Sequence, residues 1–228
     1  MQGTAGNVIP PDDWMPAIKS VAKENGAMLI ADEMITGFGR TGKWWGVEHS
    51  GVQPEIVTVG KGMGSGFPVS GVLMGDEISR AEPFAKPSAS SSSYGGNPLA
   101  AVAVAETIKT IQRENLVENS RKVGALMLRR LQELKEKYEF VGDVRGRGLM
   151  LGVDLVRDNS TKSEMSRRVM EIIFTEALRR GLVMMSYFPR IRINPPLVIS
   201  EAQAEAGLAI IDEVFACVRD KVDWRSEN

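Results

Sequence analysis

Histidine and cysteine are almost absent: the 228-residue chain has one of each, His49 and Cys217. A lone cysteine forms no internal disulfide, which points to a reducing compartment and hence the cytoplasm. A lone histidine leaves almost nothing from which to build a Ser-His-Asp triad or a multi-histidine metal site. His49, in "GVEHSGVQP", reads as a surface-loop residue, and no metal is expected. An excess of one charge is missing too. The formal net charge is −1 without a strong basic or acidic block, which argues against a nucleic-acid or polybasic membrane partner. No apolar run approaches the roughly 18 residues that cross a bilayer. "MQGTAGNVIPP" lacks the charged start and apolar stretch of a signal peptide. What remains is an ordinary globular mixture, 43% hydrophobic and 25% charged, long enough to bury a sizeable core.

The order of patterns is that of an α/β protein with a partly parallel sheet. "PPDDWMPAIKSVAKENG" predicts a helix capped by Asp12 or Asp13, with Trp14, Ile18 and Val21 on one side and Gly26 at its end. "AMLIAD", "EIVTVG" and "VSGVLMG" are continuous apolar runs, the pattern of strands buried on both faces. A serine-rich loop follows in "AKPSASSSSYGG", from which Asn97-Pro98 opens a long helix. "LVENSRKVGALMLRRLQELKEKY" predicts an amphipathic helix. Beyond Val141 the patterns predict a second, small α/β unit. "GRGLMLGVDLV" is a strand candidate, "SEMSRRVMEIIFTEALRRG" a helix ended by Gly181, "LVMMSY" and "RIRINPP" short strands, and the last helix is capped by Ser200. The expected organisation is residues 1–100, connecting helices over 101–140, and a small domain over 141–228.

Two strand ends carry the chemistry. "MLIAD" ends in Asp32-Glu33, and "VTVGKGMGSGFPVSG" places Lys61 inside a glycine run. Ligands of open α/β sheets bind beyond the carboxyl ends of strands, so parallel pairing would bring a carboxylate and an amine to one edge. The glycines do not make a phosphate loop. Glu55 stands where a Walker A motif needs its first glycine, Gly62 follows Lys61 in place of Ser or Thr, and Phe67 stands at the third glycine of a dinucleotide fingerprint. They do allow a ligand to approach the backbone beside Lys61. A lysine so placed is a candidate nucleophile toward a carbonyl; the other reading is a lysine snorkelling from a turn.

At these residues the chain resembles a known family. "LIADEMITGFGRTG", "PEIVTVGKGMGSGFPVSG" and "SSYGGNPLAAVAV" look like the motifs of the class III (omega-amino-acid) aminotransferases, fold-type I pyridoxal-phosphate enzymes. The Asp32–Lys61 separation also fits that family, and the resemblance covers nearly the whole chain. It implies the fold-type I large domain, mainly parallel sheet with helices, followed by a small C-terminal α/β domain. Lys61 would hold pyridoxal phosphate covalently and shuttle a proton, while Asp32 would keep the pyridine nitrogen protonated. Met34 would pack on the ring face; a core methionine is the other reading. Ser93 would donate its hydroxyl to the cofactor phosphate of the neighbouring subunit in a homodimer. In "RIRINPPLVIS", Arg192 matches the arginine that grips a substrate carboxylate, a task suited to a planar guanidinium; the other reading is a surface ion pair. Arg145, Arg147 and their glycines read as structural. Glu33 and Arg40 receive no role.

The family's chain is longer at its N-terminal side, so this sequence resembles roughly the C-terminal half. The expected activity is transfer of an amino group between an omega-amino acid or amine and a 2-keto acid. The alternatives are an incomplete, inactive fragment, or an aminomutase or decarboxylating transaminase using the same cofactor.

Overall fold

The computed structural model describes residues 1–89 and 91–226. Ser90, within the expected serine loop, and the last two residues of the expected small domain lie outside them. Two compact units form, Pro10–Val117 and a second made of Met1–Ile9 with Glu118–Asn228. The helices expected to connect two parts are therefore divided between them, and the first nine residues join the C-terminal unit.

In Pro10–Val117, helix α1 (Trp14–Glu24) leads into strand β1 (Ile30–Asp32). Asp13 stands at the N-cap but makes no cap bond. Its backbone is in the helical region, φ −82° and ψ −11°, whereas a capping side chain reaches back from extended backbone. Gly26, φ +65°, ends the helix as expected. β1 pairs in parallel with β2 (Ile56–Val59), which pairs antiparallel with β3 (Gly71–Met74), giving the order β1-β2-β3. The apolar runs are not buried on both faces. Leu29 and Ala31 are buried while Met28 and Ile30 are 57% and 56% exposed; successive side chains point to opposite faces, and only one face of β1 is covered. Val72 and Leu73 of β3 are exposed likewise. A short α2 (Asp76–Ser79) precedes α3 (Pro98–Arg113), where the Asn97 Oδ1 accepts the Leu99 N–H at 2.8 Å and Pro98 opens the first turn. Asn97→Ala is expected to cost about 1 kcal/mol, read as a lowered thermal midpoint.

The C-terminal unit runs α4 (Leu116–Lys137), β4 (Val141–Arg147), β5 (Met150–Asp158), β6 (Ser163–Glu164), α5 (Arg167–Arg179), β7 (Met185–Tyr187), β8 (Arg190–Ile193) and α6 (Glu201–Lys221). "GRGLMLGVDLV" is thus not one strand: it turns at Gly148-Leu149, and β4 and β5 pair as a hairpin. Gly148, φ +54°, supplies the left-handed position that the turn needs. The sheet order is β4-β5-β8-β7, with β6 on β5. Leu151, Val153, Leu155 and Ile191 face a core shared with α4, α5 and α6, in which Phe140 meets the rings of Tyr138, Phe215 and Trp224 at 5.3 to 5.5 Å. Ser200 and Gln203 form a capping box on α6, satisfying two backbone donors reciprocally. Among the described residues no helix is long and apolar enough to cross a membrane.

Candidate active site

Parallel pairing sets Asp32 beside Thr58, so both strands end on the same side of the sheet. Asp32 is exposed there, its Oδ1 accepting the Met34 N–H at 3.0 Å and lying 3.4 Å from the Thr58 hydroxyl. Lys61, two residues beyond β2, is exposed and opens a 3₁₀ turn, Lys61–Gly64, with φ +45°. A non-glycine residue in this region carries a backbone cost, and such outliers concentrate at functional positions.

The glycines around Lys61 serve separate needs. A Cβ on Gly60 would lie 2.7 Å from the Met34 methyl, and one on Gly64 would lie 2.6 Å from Val69 Cγ1. Both positions are closed by packing. A Cβ on Gly62 would meet nothing within 4 Å, so this glycine leaves open space beside the lysine. Strand pairing and the Met34–Gly60 contact therefore bring Asp32, Met34 and Lys61 together. Ser93 lies in an exposed turn before α3, and α3 packs on the Lys61–Gly64 turn. An exposed amine and an exposed carboxylate on adjacent parallel strand ends, with clearance at Gly62, fit a flat aldehyde cofactor with a basic ring nitrogen.

Glu33 is the residue whose part the motifs did not disclose. It follows Asp32 and so points to the opposite face, where it is 2% exposed. Its Oε2 accepts the Gly46 N–H at 2.8 Å and the Thr36 hydroxyl, and its Oε1 accepts the Val47 N–H at 2.7 Å. His49 belongs to the same construction. It sits half-buried on the 3₁₀ turn Gly46–Ser50, with Nε2 3.0 Å from Thr41 Oγ1 and 3.2 Å from Thr41 O, and is not a free surface-loop residue. Burial pushes the Arg40 guanidinium below its ordinary value.

Arg192 lies in the other unit. Cross-strand partners place Arg145, Gly152, Asp154, Arg190 and Arg192 on one face of the second sheet, opposite the apolar core. Residues 1–9 turn across this face. Arg192, 7% exposed, donates from Nη1 to Gly3 O at 2.9 Å, and Arg145 donates from Nη2 to Gly6 O at 2.8 Å. Arg192 is thus a buried residue, not a surface ion pair. Arg145 also bonds Asp143 and Asp154, each at 2.7 Å. Burial works against its charge, but the two carboxylates outweigh this and push the guanidinium above its ordinary value. Arg145 thus ties residues 1–9 to both strands of the β4-β5 hairpin.

The model of the class III aminotransferases matches residues 1–215, and the chain belongs to that family. Among its curated relatives are a leucine/methionine racemase of Thermococcus litoralis and a 5-aminovalerate aminotransferase of Pseudomonas aeruginosa. The first is 38% identical over 96% of this chain and 49% of its own. The second is 35% identical over 94% of this chain and 50% of its own. Of solved structures, a PLP-bound amine transaminase from an uncultivated Pseudomonas species superposes with a TM-score of 0.88 at 34% identity, over 94% of this chain and 50% of that one. The chain spans about half the length of the relatives it matches.

Proposed function

We propose that this chain is the lysine-bearing half of a pyridoxal-phosphate-dependent aminotransferase that moves an amino group between an omega-amino acid or amine and a 2-keto acid. The observation that carries the reading is the placement of Asp32 and Lys61 at the carboxyl ends of adjacent parallel strands. The unit with Lys61 belongs to the family's cofactor-binding domain and the unit with Arg192 to its small domain. Lys61 Nζ would hold the cofactor and carry a proton to and from the substrate's amine-bearing carbon. Asp32 would hold the ring nitrogen, Met34 would pack on the ring, Ser93 would donate to the phosphate across a homodimer interface, and Arg192 would orient the substrate carboxylate. When bound, pyridoxal phosphate supplies the electron sink. We place the protein in the cytoplasm.

Racemisation is a second reading, favoured by the 38% identity to the leucine/methionine racemase. It uses the same lysine for proton movement at the same carbon but needs no amino acceptor. Borohydride reduction of the chain with pyridoxal phosphate, followed by peptide mass analysis, is expected to place the cofactor on the peptide containing Lys61. Labelling scattered over surface lysines overturns cofactor binding by this chain. Joined to the N-terminal half of a class III relative, it is expected to turn over an amine or omega-amino acid only when a keto acid is present. Inversion of an amino acid without a keto acid would establish the second reading instead.

A further inference from the structure

We propose that Glu33 is a positioning residue for the cofactor site, a clasp whose carboxylate holds the loop from Met34 to Trp45 closed and thereby sets Asp32 and Met34 against Lys61. The proposal deepens the reading above and rests on it. One carboxylate joins the loop's entrance to its exit. It comes from the residue after β1 and accepts the N–H groups of Gly46 and Val47, together with the Thr36 hydroxyl. A bare carboxylate only accepts, and every partner here is a donor, so the charged form fits without a counter-cation.

The surrounding packing is built to this clasp. A Cβ on Gly46 would lie 2.7 Å from Thr36 Cβ and 3.2 Å from Glu33 Oε2, and one on Gly37 would lie 2.9 Å from Glu33 O. Inside the loop, Phe38 and Trp45 meet edge to face at 5.1 Å, and Gly39 N–H reaches Trp44 O at 3.3 Å.

The connection to the site runs through the backbone. Glu33 N–H donates to Thr58 O at 2.9 Å, tying the clasp to β2, and Glu33 O accepts the Gly37 N–H at 3.1 Å. Between these bonds Met34 N–H caps Asp32 Oδ1 at 3.0 Å, and the Met34 side chain fills the space that a Cβ on Gly60 would need. The Glu33 side chain lies on the face of the strand opposite Asp32. It acts by fixing the turn on which Asp32 and Met34 sit.

Glu33→Gln separates the clasp from the fold. The side chain keeps its size, but its amide nitrogen must face a backbone N–H, so one of Gly46 and Val47 loses its acceptor. In the cofactor-free chain, hydrogen exchange at these two amides is expected to accelerate roughly tenfold or more. The pyridoxal-phosphate dissociation constant of Glu33→Gln is expected to rise roughly tenfold, with a weaker induced circular dichroism of the bound ring. Ile111→Val, a buried change on α3, serves as a control matched in thermal midpoint; it is expected to leave both cofactor readouts in place. Unchanged exchange at Gly46 and Val47 overturns the clasp. Faster exchange with unchanged affinity and dichroism overturns the positioning role. A wild-type chain that binds no cofactor overturns this proposal together with the proposed function, whereas an equal loss of affinity in Ile111→Val overturns only the proposal.

Discussion

Gly124→Ala is expected to destabilise the C-terminal unit by about 3 kcal/mol or more, at the upper end of overpacking costs. A Cβ at this position of α4 would lie 2.1 Å from Gly148 O, 2.3 Å from its carbonyl carbon and 2.7 Å from its Cα. All three atoms are backbone, so no rotamer change relieves the clash. The helix is also pinned where it stands: Val123, Met127 and Leu131 are at most 4% exposed, and Ser120 Oγ accepts the Leu149 N–H at 3.2 Å one turn earlier. Making room for one methyl means lifting the helix from the hairpin or distorting the turn that Gly148 supports. For a unit of this size the loss corresponds to roughly 10–20 °C in thermal midpoint. Gly207→Ala on α6 supplies the opposite case. There the nearest atom to the new Cβ is Leu182 Cδ1 at 3.8 Å, an ordinary contact, so the helix keeps its packing and gains about 0.5–1 kcal/mol from lower backbone freedom when unfolded. Circular dichroism melts of the two variants should move in opposite directions; shifts of the same sign and size would rule out this account of close approach.

Local signals served at two of the three helix starts for which a cap was expected; at α1 the helical backbone of Asp13 leaves no cap bond. Asn97-Pro98 and Ser200 are caps whose partners lie two or three residues away, and the structure has them as expected; Gln203 completes a capping box that was not foreseen. The placement of Asp32 and Lys61 at neighbouring strand ends was legible because each follows a short apolar run, which is what parallel strand ends look like in a sequence. Burial was less legible. A continuous run such as "AMLIAD" does not reveal whether a neighbouring layer covers its second face, and in β1 Met28 and Ile30 stay exposed. The remaining gaps are long-range. Nothing near Glu33 shows that its acceptor oxygens are met by Gly46 and Val47, because this needs the intervening loop to fold back on itself. Nor does the pattern of "MQGTAGNVIPP" show that its carbonyls receive Arg145 and Arg192, which follow more than a hundred residues later. Polar contacts at such separations are properties of topology, and sequence periodicity carries no record of them.

Replacing Lys61 should separate stability from cofactor binding. Lys61→Ala and Lys61→Arg are expected to abolish the lysine-dependent absorption that pyridoxal phosphate gives near the visible edge. Neither side chain offers an amine, and a guanidinium is neither a comparable nucleophile nor the same shape. Lys61→Gly is expected to lose that absorption equally while raising stability by roughly 1 kcal/mol, because glycine adopts φ +45° without the cost that a Cβ incurs. A lowered thermal midpoint for Lys61→Gly would mean that the left-handed lysine is held by interactions worth more than its strain. Asp32→Asn addresses the carboxylate alone. Asparagine keeps an oxygen to accept the Met34 N–H, now 3.0 Å from Asp32 Oδ1, so the turn after β1 should persist with little change in midpoint. The charge that would hold a protonated ring nitrogen is gone, and a hydrogen bond to a charged group contributes about 1.5–3 kcal/mol. Cofactor affinity should therefore fall roughly 10- to 100-fold, measured by titrating absorbance. Unchanged affinity in Asp32→Asn, with the absorption still dependent on Lys61, would remove Asp32 from the site and leave the lysine standing.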